Sequence, residues 1–315
     1  MYQFLVNTII YCKHPRLIIR YYQKIKCFPN VAHPHSIEEK FLWRKIFDHN
    51  PVFVEISDKL KAKEYALNIC PDLQIAKTQW VGTDARDIPD EFLTSTSILK
   101  ANHGSGFNEF LSRGPICRQA FEAKTREWLT SSYGQEKNRG EWAYQGINRK
   151  IFLEEEIISP SGQVPLEFKI HVCAGKTIYT FCLKDRFGKQ PTAILLDRRG
   201  KSCAAARNLN YNVVHSDTPA HYQKLIQMAE KLGENFDYIR CDFYELDGTI
   251  FFGELTVYPV SGFPWIGNDK LLKALNKGWR IEKSWFLSSV QQGWKKLYAS
   301  ALLKHINSKN RSKIR

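Results

Sequence analysis

The sequence predicts an α+β fold, with mixed α/β as the alternative class. Two observations support this prediction. Short apolar runs bounded by glycine, proline or aspartate are typical of strands, and longer segments repeat apolar residues at helical spacing between start and stop signals. These two kinds of pattern intermix along the 315 residues, with no internal repeat and no low-complexity linker.

Five helical patterns divide the chain. The first begins with a capping box, in which Ser36 caps the helix and Glu39 reaches back to it. The fourth has Thr218 as its predicted cap, Pro219 in its first turn and Gly233 at its end. The five patterns cover residues 33–47, 57–70, 121–134, 218–233 and 283–305.

Strand patterns lie between these helices. Two of them flank Gly175, and a hairpin is expected around Asp247-Gly248, a dipeptide that is typical of tight turns. The predicted strand regions are residues 76–82, 97–100, 151–158, 166–188 and 237–259.

The composition is that of an ordinary soluble globular protein, with 43% hydrophobic and 25% charged residues. The length allows two domains, or one large domain with subdomains. No apolar run approaches the roughly 18 residues of a membrane span, and MYQFLVNTII at residues 1–10 lacks a following cleavage site. The eight scattered cysteines form no CxxC pair, which favours reduced thiols in the cytoplasm over a disulfide framework or a zinc site.

The net charge of +14 is concentrated at the two ends of the chain. Residues 1–30 carry five Lys/Arg and no acid, and residues 273–315 carry eleven Lys/Arg and one acid. Such ends are typical of solvated surface, and attraction to an anionic membrane surface or an acidic polymer is the alternative. Nucleic acid is not expected, because no binding motif accompanies the charge. We therefore expect a cytoplasmic protein, with a peripheral position at the inner membrane surface as the alternative.

The stretch ILKANHGSGFNEF, at residues 98–110, combines a strand, a lysine and a flexible loop. Gly104 and Gly106 allow backbone shapes that other residues resist. Backbone N–H groups of such a loop, together with the Lys100 ammonium, are suited to phosphate. A plain turn explains the same letters, so this stretch alone leaves both interpretations open.

The hairpin carries a second candidate site. Because side chains alternate across a strand, Arg240 and Asp242 share one face of the first strand, opposite an apolar face. Joining Glu254 to that face requires the right register, and we predict a three-residue loop, 246–248, that places Glu254 opposite Arg240. Two carboxylates on one sheet face suit Mg²⁺. An ordinary ion pair between arginine and carboxylate is the alternative.

The motifs in combination resemble the ATP-grasp superfamily, and within it the TupA-like branch named for teichuronopeptide biosynthesis. The resemblance covers about residues 34–265. It rests on the order and spacing of HSIEEKFLW, DKLKAKEY, LKANHGSG, FLEEEI, EFKIHVCAGK, LKDR, RCDFY and GELTVYPVSG.

The resemblance implies two α+β subdomains that grip ATP between antiparallel sheets, with helical N- and C-terminal extensions. The corresponding boundaries are an N-terminal helical region at 1–75, a first subdomain with the phosphate loop at 76–153, a second subdomain with the Mg²⁺ site at 154–270, and a basic C-terminal helix and tail at 271–315.

The resemblance also implies a role for each matching residue. Phosphates would be contacted by Lys59 and Lys100 and covered by the loop of Gly104, Ser105 and Gly106. Adenine would be held by backbone groups of the hinge at Glu154, Glu155 and Ile157, and ribose by Glu167. Lys169 and Arg186 would face the phosphates or the acyl substrate. Arg240 would steady the reacting phosphoryl group. Mg²⁺ would be held by Asp242 and Glu254.

The implied activity is ATP- and Mg²⁺-dependent ligation of a carboxylate to an amine through an acyl phosphate, in the synthesis or modification of a cell-surface polysaccharide. A kinase that phosphorylates a glycan hydroxyl, and a non-catalytic protein that binds anionic glycan or membrane, are the alternatives. Two positions depart from the pattern of many ATP-grasp enzymes: Ala101 replaces a proline, and Thr256 replaces an asparagine. A threonine hydroxyl is a weaker metal ligand, which puts a second Mg²⁺ in doubt.

Overall fold

The computed structural model describes residues 2–94, 96–114, 116–186, 188, 190–205 and 211–312. Its helices are α1 Tyr2–Lys13, α2 Pro15–Ile25, α3 Ile37–Ile46, α4 Val52–Ser57, α5 Lys59–Ile69, α6 Arg118–Thr130, α7 Tyr222–Leu232, α8 Asp269–Gly278, α9 Trp285–Ser288 and α10 Gly293–Ser312. Its strands are β1 Gln74–Ile75, β2 Thr78–Gly82, β3 Ser97–Ala101, β4 Asn108–Phe110, β5 Ile151–Glu155, β6 Leu166–Cys173, β7 Lys176–Lys184, β8 Thr192–Asp197, β9 Asn212–Val213, β10 Ile239–Leu246 and β11 Thr249–Thr256.

The strands form two sheets. The small sheet has the order β2-β5-β3-β4 and is antiparallel throughout. The large sheet has the order β1-β11-β10-β6-β7-β8-β9, with antiparallel pairing in its centre and the two-residue strands β1 and β9 added in parallel at its edges. Strand β5, through which the expected boundary at residues 153 and 154 passes, lies wholly in the small sheet.

Three hydrophobic cores hold these layers together. One face of the large sheet packs against α5 and α7 through residues such as Cys241 and Phe243. Part of the other face packs against α3, α8 and α10, where Tyr238 stacks on Trp279. The small sheet packs against α6, which contributes Trp128. The face of the large sheet that carries the polar residues of the hairpin is therefore covered only in part by this apolar packing.

Local signals placed several elements correctly. Ser36 and Glu39 form the predicted capping box at the start of α3, and Asp58 caps α5 by accepting a hydrogen bond from the Leu60 amide. The prediction for 218–233 is wrong at its start. The Thr218 hydroxyl donates to Gly200 O at 2.9 Å instead of capping a helix, and α7 begins at Tyr222. The pattern over 283–305 corresponds to two helices, α9 and α10, with residues 289–292 between them.

The predicted three-residue loop of the hairpin is wrong. Leu246 pairs with Thr249, so the turn contains only Asp247 and Gly248, both with positive φ, as a type I′ turn requires. The register then shifts between Phe243 and Asp242, because Gly253 is an extra residue on β11. Beyond this bulge, Asp242 pairs directly with Glu254 and not with Phe252.

Gly253 is required at the bulge for a steric reason. A Cβ atom there would lie 2.9 Å from the Asp242 carbonyl oxygen and 3.1 Å from the Tyr244 ring. Only a residue without a side chain allows the two strands to approach this closely. The bulge thus places both carboxylates on one face, whereas the extra residue was predicted in the turn.

Among the described residues, no helix is long and apolar enough to cross a membrane.

Candidate active site

A row of charged residues crosses the centre of the large sheet. Glu254 on β11 pairs with Asp242 on β10, and Asp242 pairs with Lys169 on β6. Residues that pair directly across antiparallel strands share a face. The next partner in this row is Phe181 on β7, so the charged row continues into an aromatic side chain.

Arg240 binds both acids of this row. Its Nε and Nη2 donate to the two Asp242 oxygens, each at 2.6 Å, and Nη2 also lies 3.2 Å from Glu254 Oε1. Burial alone would lower the pKa of Arg240, but Asp242 and Glu254 outweigh it and raise that pKa above its usual value. The guanidinium is therefore permanently charged and fixed in orientation.

Asp242 is almost completely buried and lies between two cations. Burial alone would raise the pKa of its carboxyl, yet Arg240 and Lys169, whose Nζ lies 3.1 Å from Asp242 Oδ2, hold the pKa below its usual value. Asp242 is therefore ionised at neutral pH, as a metal ligand must be.

The donor set fits one Mg²⁺ that is shared with phosphate. Asp242 and Glu254 supply facing carboxylates, and both described hydrogen bonds to Glu254 go to its Oε1. Mg²⁺ usually takes one or two carboxylates and completes its shell with phosphate and water oxygens. Within the described ranges, no group of three or more His, Cys, Asp or Glu is placed to hold a metal ion.

Thr256 stands where many ATP-grasp enzymes have an asparagine, and its hydroxyl is hydrogen-bonded to two neighbouring side chains. Its hydroxyl donates to Glu254 Oε1 at 3.1 Å and accepts from Arg240 Nη2 at 3.0 Å. This side chain therefore helps to orient both Arg240 and Glu254.

The next residues along β6 extend the charged face. Glu167 accepts two hydrogen bonds from Arg186 Nη1, at 2.7 and 2.8 Å, and a further bond from Lys169. Burial tends to lower the pKa of Arg186, and Glu167 raises it above its usual value. Both predicted cations thus lie beside the predicted ribose acid.

The small sheet carries a second, separate cluster. Glu154 on β5 accepts a hydrogen bond from Lys100 on β3 through Oε1, and one from Lys63 on α5 through Oε2 at 2.7 Å. Burial alone would raise the pKa of Glu154, but these two ammonium groups hold it below its ordinary value. Glu154 therefore acts through its side chain as the counter-ion of two lysines.

Lys63 was not among the predicted site residues. It lies four residues after Lys59 and therefore on the same side of α5. Its Nζ also donates to Ala76 O and Thr78 Oγ1, both at 3.0 Å. The spacing of the two lysines was the available signal.

The glycine loop between β3 and β4 is held at both of its sides. Lys59 Nζ donates to Gly104 O, and His103 Nε2 lies 3.0 Å from Trp128 O on α6. Gly104 and Gly106 both have positive φ, and Ser105 and Gly106 are exposed. Burial, followed by nearby Arg149 and Lys59, lowers the pKa of His103 to about 4, so this histidine is neutral and anchors the loop.

The hinge residues beyond Glu154 point to different surroundings. Glu155 is exposed and its carboxylate lies 3.8 Å from Lys77 Nζ. The backbone N–H groups of Glu155 and Glu156 donate to Lys77 O and Thr96 O, so an adenine ring would have to use other backbone groups. Ile157 is half-buried after the end of β5.

Lys59 is electrostatically linked to both clusters. Burial lowers the pKa of Lys59 and Lys100 lowers it further, while Glu254 of the large sheet and Glu154 of the small sheet oppose this effect. Its Nζ donates to Gly104 O of the glycine loop, and α5, which Lys59 begins, packs against β11 of the large sheet. Lys59 is therefore within electrostatic range of one predicted metal acid and of the predicted phosphate lysine Lys100.

Two further residues share this face of the sheet and were not among the predicted site residues. Tyr244 continues the face of Arg240 and Asp242, and burial raises the pKa of its hydroxyl well above the usual value. His171 pairs with Arg240 across β6 and β10, and its Nδ1 lies 2.8 Å from Tyr238 Oη. Burial, with Arg240 and Lys169, lowers the pKa of His171 far below its usual value, so it is neutral.

A family model described as TupA-like ATP-grasp matches residues 39–277, about three quarters of the chain. The chain belongs to the TupA-like ATP-grasp family. The predicted family and the predicted α+β, ATP-grasp fold are thereby confirmed. Among curated proteins, none is similar enough to this TupA-like chain to count as a match.

Several solved structures are distantly similar to this TupA-like protein. D-alanine–D-alanine ligase from Bacillus anthracis complexed with ATP is 12% identical, with a TM-score of 0.44 over 71% of this chain and 66% of that chain. The Helicobacter pylori D-alanine–D-alanine ligase is 14% identical, with a TM-score of 0.40 over 71% and 58%. The ligase PsnB, complexed with minimal precursor, Mg and ADP, is 11% identical, with a TM-score of 0.37 over 77% and 66%. The chain thus spans about two thirds or less of the length of these proteins, and the similarity assigns no substrate.

Proposed function

We propose that this TupA-like protein is an ATP- and Mg²⁺-dependent ligase that joins a carboxylate to an amine through an acyl phosphate. The observation that supports the proposal is the presence of two unlike charged clusters, one on each sheet, with Lys59 influenced by acids of both. Lys59 and Lys100 supply cations from the first half of the chain, and the Asp242–Glu254 pair with Arg240 comes from the second. This combination is suited to a nucleoside triphosphate that spans both.

Each cluster would make a different contribution. Lys100 and Lys59 would neutralise phosphate oxygens, and the exposed Ser105-Gly106 tip would cover them. Glu167 would hold the ribose hydroxyls and Ile157 would border the adenine, as the family resemblance implies. Mg²⁺ held by Asp242 and Glu254 would draw charge from the transferring phosphoryl group.

The reaction needs alignment more than a protein nucleophile. A carboxylate oxygen of the substrate attacks the γ-phosphorus, ADP leaves, and an acyl phosphate forms. The amine then attacks the acyl carbon, inorganic phosphate leaves and the amine loses a proton. Arg240 would hold the phosphoryl oxygens, and positioning of this kind contributes roughly 7–11 kcal/mol to lowering the barrier.

The acceptor class is proposed from the end of the charged row. Phe181 contacts Trp265 and Tyr211 edge to face, with centroid distances of 6.3 and 5.8 Å. The C–H face of a sugar ring packs on such aromatic groups, and Lys169, which pairs with Phe181, offers a cation to a carboxylate. A uronic acid of a cell-surface polysaccharide precursor satisfies both features.

The decisive experiment is product analysis. The protein is incubated with ATP, Mg²⁺, candidate amino acids and uronic-acid glycans, and ADP release is followed together with mass spectrometry. A ligase gives ADP, phosphate and an amide. Asp242→Asn should lower turnover at least about 100-fold, whereas the exposed Asp217→Asn should not change it.

The alternatives give other results in the same experiment. A phosphorylated alcohol with ADP and no free phosphate identifies the kinase, which would transfer the same group to a hydroxyl. Absence of ADP release with every acceptor, while the glycan still binds, identifies a non-catalytic binding protein. Either result overturns the ligase.

The aromatic residues make the acceptor assignment testable by itself. Trp265→Ala should raise KM for the glycan at least about ten-fold and leave kcat nearly unchanged, because it removes ground-state binding. Trp285→Ala is the matched control, since both tryptophans are 38% exposed. Equal KM values for the two variants would show that Trp265 does not bind the sugar, and would leave the proposed ligase chemistry unaffected.

A further inference from the structure

Helix α1 is apolar on both of its faces. Its twelve residues include one charge, Lys13 at the last position. Val6 and Ile10 are buried in the core that α1 shares with α3 and α10, while Phe4 and Leu5 on the outer side are 76% and 54% exposed. A helix that is apolar all round is normally covered on all sides, but the described part of the chain leaves the outer side of α1 largely exposed.

Exposed apolar residues continue from α1 onto α2 and the segment after it. Phe28 is 65% exposed and lies against Tyr11 of α1 and Tyr22 of α2, with centroid distances of 6.0 and 4.9 Å. These contacts join the two helices into one patch. We define the N-terminal patch as Phe4, Leu5, Ile9, Ile19, Tyr22 and Phe28, all exposed.

The N-terminal patch lies in a segment that contains several exposed cations and no acid. Lys13, Arg16, Lys24 and Lys26 are all exposed, and the first acid in the chain is Glu38. The end of α1 is also close to the basic start of α10, because Lys13 Nζ lies 5.6 Å from the Trp294 ring centre. The segment that forms the patch therefore combines exposed apolar side chains with a single sign of charge.

We propose that the N-terminal patch binds the surface of an anionic lipid bilayer. Exposed Phe, Leu, Ile and Tyr side chains enter the boundary between headgroups and acyl chains, while lysine and arginine attract anionic headgroups. The aromatic pair Tyr22 and Phe28 beside Lys24 and Lys26 is typical of side chains at such a boundary.

The charge distribution argues against a second copy of the chain as the occupant. A symmetric contact through this patch would bring two sets of exposed cations together without an acid from residues 1–37 to pair with them. A bilayer with anionic headgroups has the complementary charge. The inner side of α1 already packs on the protein, so binding would require no unfolding.

The test is flotation of the full chain with vesicles. Phosphatidylcholine vesicles are compared with vesicles containing about 30% phosphatidylglycerol, at low and high salt. We expect binding to the anionic vesicles, weakened by salt because exposed charges are screened. Phe4→Gln/Leu5→Gln should lower the bound fraction at least about five-fold. Arg16→Gln/Lys24→Gln should abolish the preference for anionic lipid.

Matched controls separate the patch from a general loss of apolar surface. Ile116→Gln/Val164→Gln removes two apolar side chains that are 43% and 42% exposed elsewhere, and it should bind vesicles as the unmodified protein does. Circular dichroism and melting temperature should be the same for all variants, because only exposed side chains change.

Three results would overturn the proposal. Failure of the unmodified chain to float with anionic vesicles is the first, and equal flotation of Phe4→Gln/Leu5→Gln and the control variant is the second. The third is a mass by light scattering that falls by half in Phe4→Gln/Leu5→Gln, which would assign the patch to a second copy. The ligase proposal stands or falls separately, because none of these side chains belongs to the candidate active site.

Discussion

Glu154 decides the stability of the small-sheet cluster, because it is the shared counter-ion of Lys63 and Lys100. Glu154→Gln leaves two ammonium groups in a buried position without a negative charge. We expect a loss of roughly 3 kcal/mol in the free energy of unfolding at pH 7. Glu155→Gln is the control. Its side chain is 48% exposed, and it should change stability by less than about 0.5 kcal/mol.

The same substitution has a predicted pH dependence. The pKa of Glu154 is depressed in the folded protein below its ordinary value of 4.5. Its contribution to stability is therefore complete above pH 4.5 and is lost as the pH falls through the folded pKa. Urea unfolding of the unmodified protein and of Glu154→Gln should show a difference in the free energy of unfolding. This difference should be constant from pH 5 to pH 7 and shrink below about pH 4.5. A difference that grows on acidification would contradict this ion-pair assignment.

Lys100 is the residue through which nucleotide binding is most directly tested. Lys100→Ala should remove most of the rise in melting temperature that ATP with Mg²⁺ produces, since a phosphate contact of the native state is lost. Lys77→Ala is the control, because it removes the same charge from a side chain that is 75% exposed. The rise in melting temperature with ATP and Mg²⁺ should be unchanged in this variant. An equal shift in both variants would exclude Lys100 from the site.

Individual residues were predicted from the sequence where a motif fixed their neighbours. Arg240, Asp242 and Glu254 were expected on one face, and Arg240 lies within hydrogen-bond distance of both acids. Lys100 lies on the small sheet beside Glu154, and the roles of all four residues stay predictions. Lys63 was not nominated, because its partner Glu154 lies 91 residues away and only the packing of α5 on β5 brings the two together. Side-chain pairing over such separations is set by tertiary structure.

At the scale of elements, the hairpin shows which part of a register the sequence determines. To place Asp242 and Glu254 on one face, the hairpin needed one additional unpaired residue between them, and that inference was correct. Its position was assigned wrongly to the turn, although Asp-Gly is the strongest signal for a two-residue turn and a glycine inside a strand indicates a bulge. Gly253 was the signal for the correct position. Whether the unpaired residue lies at the turn glycine or at Gly253 depends on how the strands pack.

Gly253→Ala tests whether the bulge maintains the site. The added Cβ would meet the Asp242 carbonyl and the Tyr244 ring, so β10 and β11 must separate or change register. We expect a loss of about 1–3 kcal/mol in stability and at least a ten-fold loss of Mg²⁺-dependent turnover at a temperature where the variant is folded. Gly114→Ala is the control, because its Cβ meets nothing within 4 Å and its φ is −171°. Normal turnover in Gly253→Ala would show that the carboxylates reach their positions without the bulge.

For the whole molecule, we propose that the nucleotide binds between the two sheets and contacts both. The expected boundary at residues 153 and 154 passes through β5, which belongs entirely to the small sheet, and β1, in the expected N-terminal region, belongs to the large sheet. Sequence composition indicated neither assignment, because β1 has only two residues and β5 continues directly into the predicted second subdomain. Strand partners, and not local pattern, define the two units.

A ligand that bridges the two sheets should stabilise both at once. ATP with Mg²⁺ at 100 times its dissociation constant stabilises the native state by about 2.7 kcal/mol through mass action. Because Lys100 lies on β3 and Asp242 on β10, amide hydrogens of both strands should exchange more slowly in the complex. Adenosine should slow exchange much less, since it lacks the phosphates that both clusters would bind. In Asp242→Asn with ATP and Mg²⁺, protection should weaken on β10 and persist in part on β3, because the phosphate lysines remain. Protection confined to one sheet in the unmodified protein would show that the nucleotide does not bridge the two clusters.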